Sequence, residues 1–254
     1  MLIDTHSHIY SEDFHDDIDE VLQNAYNNDV KKIILPNIDS GSIKRLIDLS
    51  NNYPHVCYPL MGLHPTSVSG DYREELSVVE YWLDKYKFYG IGEIGIDLYW
   101  DRTWFEQQKE AFIYQVKLAK SRKIPIVIHM RESFNEVYEI VKAEQDGSLR
   151  GIFHCFTGDE TEAKKIIDLG FLLGIGGVVT YKNSNLKSVL EKTDIKNIVL
   201  ESDAPYLTPE PKRGRRNESS YLVYTAQKIA EIYQLPIKEI AEITTANARG
   251  LFGI

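Results

Sequence analysis

Short apolar runs alternate along the chain with longer stretches in which apolar residues recur at helical spacing. Runs rich in Ile, Val and Leu predict buried strands, whereas i, i+3, i+4 spacing predicts amphipathic helices. The predicted strands are Leu2–Thr5, Lys32–Pro36, Val56–Gly62, Phe88–Ile94, Ile124–Ile128, Gly151–Phe153, Phe171–Ile175 and Asn197–Leu200. The predicted helices are Asp16–Asn28, Ser40–Asn51, Arg73–Tyr86, Trp104–Ser121, Glu132–Glu144, Glu160–Leu169, Asn185–Glu191, Ser219–Tyr233 and Ile237–Ala246.

This alternation predicts an α/β fold with a parallel sheet, because neighbouring parallel strands are joined by helical crossovers. Repetition of the strand–helix unit along the whole chain predicts a closed (β/α)8 TIM barrel. We interpret residues 1–254 as a single domain, since no linker, low-complexity segment or internal repeat divides them. The alternative is an open doubly wound sheet, which the absence of a Gly-x-Gly-x-x-Gly turn after the first strand disfavours.

Composition and net charge limit the kinds of protein that this chain can be. The chain is 43% hydrophobic, which is enough for a large core, and its formal net charge is −9. Non-specific nucleic-acid binders carry broad basic surfaces, so any contact with nucleic acid here must be local. The two cysteines, Cys57 and Cys155, do not make a disulfide framework. With no long apolar run and no leader-like start, we expect a cytoplasmic protein without membrane association or an obligate protein partner.

Side chains of the metal-ligand type follow the predicted strands. His6 and His8 follow the first strand, and residues i and i+2 of a strand point to the same face. The other ligand-type residues at strand ends are Glu93, His129, His154 and Asp203. Because the carboxyl ends of barrel strands meet at one mouth, we expect all six side chains to converge there. Imidazole and carboxylate together suit a first-row divalent metal.

Six ligands are more than the three that one catalytic zinc ion takes from the protein. We therefore expect two divalent metal ions, a pair that can clamp the oxygens of a hydrolytic transition state. His6, His8 and Asp203 would hold one ion, His129 and His154 the other, and Glu93 would bridge them. The softness of four imidazoles favours Zn²⁺, Mn²⁺, Ni²⁺ or Fe²⁺ over Mg²⁺.

The stretches around these residues resemble the TatD family of metal-dependent hydrolases, in the amidohydrolase superfamily. They are Asp4–His8, Gly92–Asp97, Ile128–Arg131, Phe153–Gly158, Glu201–Leu207, Thr244–Ala248 and Leu251–Gly253. The resemblance implies a TIM barrel, a two-metal site with the same six ligands, Mg²⁺ or Mn²⁺ as cofactor, and deoxyribonuclease activity, often as a 3′–5′ exonuclease. The chain departs from the family at Ser219-Ser220, where Pro-Ala is common, and at Leu98, where Tyr is frequent. Both departures leave the substrate preference open.

Within this site we expect Asp203 to act as the general base that accepts a proton from the attacking water. The alternatives for Asp203 are a ligand without a catalytic role and a helix cap. Four residues are candidate contacts to substrate phosphate: His64, Arg131, Arg213 and Arg215. His64 could equally be structural, and Arg131 could instead pair with Glu132 or Asp97. The basic loop Lys212–Arg216 follows the last strand, so it lies near the mouth, although it could also be a solvated loop.

Three further residues near the fourth strand have two interpretations each. Asp97 is either the partner of a ligating histidine or a turn residue. Trp100 and Trp104 either stack on a nucleobase or pack against the core.

Two other functions stay open beside a nuclease that acts on DNA. One is a hydrolase of a small amide, ester or lactone, which the negative net charge favours. The other is a metal-binding protein without catalysis, which the completeness of the ligand set disfavours.

Overall fold

Eight parallel strands follow one another in chain order in a computed structural model that describes residues 1–254. They are β1 Leu2–Asp4, β2 Val30–Leu35, β3 Cys57–Pro59, β4 Ile91–Asp97, β5 Ile126–Arg131, β6 Gly151–Phe153, β7 Leu172–Ile175 and β8 Ile198–Leu200. The helices are α1 Ile18–Asn27, α2 Ile43–Asn52, α3 Tyr72–Lys85, α4 Phe105–Arg122, α5 Phe134–Glu144, α6 Glu160–Asp168, α7 Leu186–Leu190, α8 Leu222–Tyr233 and α9 Ile237–Phe252. None of them combines the length and apolarity needed to cross a membrane.

Two seams join a three-stranded sheet, β1–β3, to a five-stranded sheet, β4–β8. At one seam, Met61 forms a parallel bridge with Ile91. At the other, the backbone N–H of Thr5 donates to the carbonyl of Leu200 at 3.0 Å, and Ser7 forms a parallel bridge with Ala204. Because both edges are paired, the strands close on themselves, and the predicted TIM barrel is confirmed.

Alternation along the strands separates two apolar layers. Ile33 and Leu35 of β2 face the surrounding helices, whereas Ile34 between them faces the barrel interior. The interior layer is closed at the amino-terminal end of the strands by α9, through Leu251 and Phe252. A packed interior leaves only the carboxyl-terminal mouth for chemistry, as in other barrels of this kind.

The fourth and fifth strands differ from their predicted bounds. The sequence predicts that β4 ends at Ile94 and β5 at Ile128, but the two strands run on to Asp97 and Arg131. The two extensions pair with each other, with Gly95 opposite His129. This pairing between strands lengthens both of them beyond the ends that their own sequences predict. Glu93 and His129 therefore lie inside strands, and Asp97 takes the terminal position of β4 that was predicted for Glu93.

Gly95 makes this long ladder possible. Its φ is +151°, and a Cβ built there would lie 1.9 Å from the carbonyl oxygen of His129. Only glycine lets the two backbones approach that closely.

Two helical segments also differ from prediction. The stretch 219–233 divides into a short 3-10 helix, Ser219–Tyr221, and α8. The last helix continues six residues past the predicted end at Ala246 and stops at Gly253, whose φ of +68° is a common C-terminal cap.

Candidate metal centre

The carboxylate of Glu93 lies at the centre of the mouth, with a different set of histidines facing each of its oxygens. Oε2 lies 3.0 Å from Nε2 of His6 and 3.5 Å from Nε2 of His8. Oε1 lies 2.7 Å from Nδ1 of His129 and 3.0 Å from Nε2 of His154. The structure thus brings the predicted ligands together on the two sides of one carboxylate.

Asp203 completes the first side. Its Oδ1 lies 3.8 Å from Nε2 of His6 and 3.9 Å from Nε2 of His8. The position is set by the backbone, since the N–H of Asp203 donates to the carbonyl of His6 at 2.9 Å. The turn after β8 is anchored to β1 by Asp4, which accepts the Ser202 hydroxyl at 2.6 Å.

The donor atoms on this side fit a divalent cation. Four ligands about 2.1 Å from a common tetrahedral ion lie about 3.4 Å apart. Nε2 of His6 and Nε2 of His8 lie 3.0 to 3.9 Å from each other, from Oε2 of Glu93 and from Oδ1 of Asp203. Nε2 of His6 and Nε2 of His8 are only 3.1 Å apart in a buried site. A cation satisfies both lone pairs at once, whereas a hydrogen bond between them satisfies one.

Tyr10 selects which nitrogen of His8 faces the site. Its hydroxyl donates its only proton to the carbonyl of Pro36 at 2.6 Å, so it must accept from Nδ1–H of His8 at 3.1 Å. The lone pair of His8 is therefore on Nε2, the atom that faces Glu93 and Asp203. Sequence reasoning missed Tyr10 because it lies in a turn after β1, where the periodicity of a strand does not apply.

Asp97 has both of the roles that the sequence left open, since it is the partner of a ligating histidine and a turn residue. Its Oδ2 accepts Nε2–H of His129 at 2.8 Å, so Nδ1 is the nitrogen of His129 that faces Glu93, at 2.7 Å from Oε1. Its Oδ1 accepts the backbone N–H groups of Tyr99 and Trp100 and so shapes the following loop. Carboxylate partners of this kind orient ligating histidines and raise their basicity.

Glu201 is a buried carboxylate that sequence reasoning also missed. Its Oε1 accepts the backbone N–H of Cys155 and lies 3.3 Å from Nδ1 of His154, without hydrogen-bond alignment. Gly174 leaves room for this side chain, because a Cβ at Gly174 would lie 2.2 Å from Oε2. The signal in the sequence was the i, i+2 pair of carboxylates formed by Glu201 and Asp203.

Burial and mutual charge set the protonation of the metal-free centre. Burial alone raises the pKa of Glu93, but the charges of His154 and His64 outweigh it and hold the pKa well below its usual value. Burial lowers the pKa of His6 well below its usual value, and nearby His154 adds to the effect. Burial raises the pKa of Asp203 to about 6. The metal-free centre therefore has an ionised Glu93 beside a neutral His6. On the other side, burial lowers the pKa values of His154 and His129, but the neighbouring carboxylates outweigh it and raise both, so a cation bound there would displace protons.

His64 lies closer to the centre than its position before a proline suggests. Its Nδ1 accepts the backbone N–H of Thr66 at 3.2 Å, which leaves a proton on Nε2. Nε2 lies 3.3 Å from Oε1 of Glu93 and 3.3 Å from Nδ1 of His129. His64 thus presents a hydrogen-bond donor rather than a lone pair.

The predicted phosphate contacts differ in their surroundings. Arg131 pairs with neither Glu132 nor Asp97 and stacks on the ring of Tyr99 at 3.8 Å. Arg213 stacks on the ring of Tyr181 at 4.0 Å. In the basic loop, Arg216 is bound by Asp17 through both guanidinium nitrogens, whereas Lys212, Arg213 and Arg215 have no carboxylate within ion-pair distance.

A cavity of about 610 Å³ opens above the centre. Its floor includes His8, Glu93, His129 and His154, and Trp100 and Arg131 lie on its wall. Trp104 is half-buried and packs against the core at the start of α4. The centre is thus reachable from solvent through a space large enough for a nucleotide-sized ligand.

Comparison with known proteins agrees with this geometry. Residues 3–253 match the family described as TatD related DNase. The chain belongs to the TatD family. An uncharacterized metal-dependent hydrolase, YabD of Bacillus subtilis, is 38% identical over 255 residues, with 100% of both chains covered. A second one, YjjV of Escherichia coli, is 30% identical over 255 residues, covering 99% of this chain and 98% of the relative.

Solved structures share the fold of this chain. The crystal structure of the Escherichia coli TatD homologue YjjV superposes with a TM-score of 0.92 at 29% identity and covers 100% of this chain and 98% of the other. A TatD family hydrolase from Entamoeba histolytica gives 0.84 at 23% identity, covering 99% and 97%. A lactonase from Listeria monocytogenes gives 0.70 at 12% identity, covering 99% and 94%, and shares the fold alone. The protein is a metal-dependent hydrolase of the TatD family.

Proposed function

We propose that this protein is a deoxyribonuclease that hydrolyses phosphodiester bonds with two divalent metal ions, as a 3′–5′ exonuclease. The observation that carries the proposal is the Arg131 guanidinium, which lines the cavity above the centre without a carboxylate partner, together with unpaired basic side chains in the loop after β8. Lys212, Arg213 and Arg215 have no carboxylate partner, although the chain carries 38 acidic residues against 29 basic ones. Basic side chains that have no carboxylate partner can bind the phosphates of a nucleic-acid strand.

The residues that would hold the ions are those whose donor atoms converge. His6, His8 and Asp203, which form one compact group, would hold one ion. His129 and His154, which fall in separate groups but both face Oε1 of Glu93, would hold the other. Divalent cations bound there would activate water and neutralise the charge on the phosphoryl oxygens.

Asp203 would accept the proton of the attacking water. Its Oδ1 belongs to the same cluster as His6 and His8, and its side chain is 13% exposed, so it reaches both the centre and the cavity. The water oxygen bonds to phosphorus, and the bond between phosphorus and the sugar oxygen breaks. The sugar oxygen takes up a proton from solvent, and Asp203 releases the proton that it accepted to solvent. His64 also lines the cavity, and its Nε2–H would donate a hydrogen bond to a phosphate oxygen.

The test is cleavage of end-labelled single-stranded DNA by metal-stripped protein, with Mg²⁺, Mn²⁺ or Zn²⁺ added back separately. A ladder that shortens from the 3′ end, is restored by one metal and is absent in His129→Ala supports the proposal. A metal-loaded protein that leaves DNA intact but opens a lactone or cleaves a simple ester would replace it with a small-substrate hydrolase. Thermal unfolding of His129→Ala controls for loss of the fold.

A further inference from the structure

Two aromatic side chains project from the loop after β4 with most of their surface in solvent. Trp100 is 69% exposed and Tyr99 is 50% exposed. Their rings meet edge to face, with centroids 5.0 Å apart. A tryptophan contributes little to folding when most of its indole stays in water, so folding does not account for this placement.

The loop is held rather than loose. Oδ1 of Asp97 accepts the backbone N–H of Tyr99 at 3.0 Å and that of Trp100 at 3.1 Å. Arg102 ties the far end of the loop through its bond to the carbonyl of Leu98 at 2.9 Å. The rings are thus presented on a fixed backbone, which lowers the entropy that a ligand must remove on binding.

The same carboxylate joins the loop to the metal centre. While Oδ1 of Asp97 holds the aromatic residues, Oδ2 holds His129 at 2.8 Å. Trp100 and His129 both line the cavity above the centre. A ligand seated on the ring is therefore positioned relative to the residues that would act on it.

The charge beside the rings favours a polyanion. The Arg131 guanidinium lies 3.8 Å above the ring of Tyr99 and 5.3 Å from that of Trp100, and no carboxylate pairs with it. An aromatic face beside an unpaired cation is the combination that single-stranded nucleic acid uses, with the base on the ring and the phosphate on the guanidinium. A small lactone or ester would occupy the cavity floor and leave the exposed ring unused.

We propose that Trp100, supported by Tyr99 and Arg131, is a stacking platform for an unpaired nucleobase of the strand whose phosphodiester lies over the metal centre. This inference rests on the proposed function. It makes an unstacked base a condition of productive binding, so single strands and frayed ends are the preferred substrates. The platform should bind all four bases, because every base has an aromatic face.

The test compares a short single-stranded oligonucleotide with one that has the same phosphates but a stable abasic analogue at its terminal nucleotides. The measured quantity is kcat/KM for both substrates, with the metal that supports cleavage. The wild-type protein should prefer the substrate with bases by about 5- to 150-fold, the value of one base–aromatic stack. Trp100→Ala should lose this preference, and Trp100→Phe, which keeps an aromatic face, should retain most of it.

Tyr81→Ala is the matched control, because Tyr81 is 55% exposed on α3 and stands outside the cavity lining. It should keep the wild-type preference. A Trp100→Ala protein that still prefers the substrate with bases as strongly as wild type overturns the platform and leaves the nuclease proposal intact. A wild-type protein that cleaves neither oligonucleotide overturns the proposed function itself.

Discussion

Replacing Tyr10 with phenylalanine tests whether a buried hydroxyl controls metal binding through the tautomer of His8. The substitution keeps the ring and removes one oxygen that donates to Pro36 at 2.6 Å and accepts from His8 at 3.1 Å. Without it, His8 can carry its proton on Nε2, the atom that faces Glu93 and Asp203. A protonated Nε2 cannot be a ligand.

Two effects of different size follow. Loss of two buried hydrogen bonds should lower the free energy of unfolding of the metal-free protein by about 1–3 kcal/mol. Loss of the group that orients a ligand should weaken metal affinity by about 10–100-fold. Metal affinity is measured by competition with a chromogenic chelator, stability by urea unfolding, and the His8 tautomer by ¹⁵N chemical shifts.

Tyr233→Phe is the control, because Tyr233 also donates to a backbone carbonyl, that of Thr193, at 3.0 Å, far from the centre. It should lose stability and keep its metal affinity. If Tyr10→Phe binds metal as tightly as Tyr233→Phe while His8 keeps its Nδ1 proton, the hydroxyl does not set the tautomer and our reasoning is refuted.

Three more predictions concern other parts of the site. Asp203→Asn should fold normally and lose about 10²–10⁴-fold in kcat, the usual contribution of a general base, so near-normal turnover would remove that role. Gly174→Ala places a methyl group 2.2 Å from the Glu201 carboxylate and should lower the free energy of unfolding by about 1–3 kcal/mol, and an unchanged urea midpoint would contradict the contact. Arg213→Ala should reduce the slope of log affinity for DNA against log salt by about one, whereas Arg216→Ala, whose guanidinium is bound by Asp17, should leave the slope unchanged. Equal slopes in the two arginine variants would argue against a phosphate contact at Arg213.

The order of strands and helices was predictable because each element carries its own periodicity. The apolar run of β2 identifies a strand and the amphipathic spacing of α2 identifies a helix, in each case without reference to distant residues. The convergence of His6 with Asp203 was also predictable, because the barrel brings the carboxyl end of every strand to the same mouth.

Features that depend on contacts between distant segments were not predictable. The extension of β4 to Asp97 depends on pairing with β5, and the sequence of either strand alone does not contain it. Glu201 fits beside His154 because β7 presents a glycine between them. The choice of nitrogen at His8 depends on where the carbonyl of Pro36 points, which only the assembled barrel defines.

The seam between β1 and β8 has a consequence for how the protein is made. Ser7 pairs with Ala204, and His8 donates its backbone N–H to the carbonyl of Ala204 at 2.7 Å, so during synthesis the segment after β1 cannot complete its pairing until the turn after β8 has been translated. Until Asp203 has emerged, the nascent chain exposes histidines without a complete set of ligands around them. The ligand group of His6, His8 and Asp203 is therefore complete only after Asp203 has been translated, and a chain that ends before Asp203 lacks one of its three members.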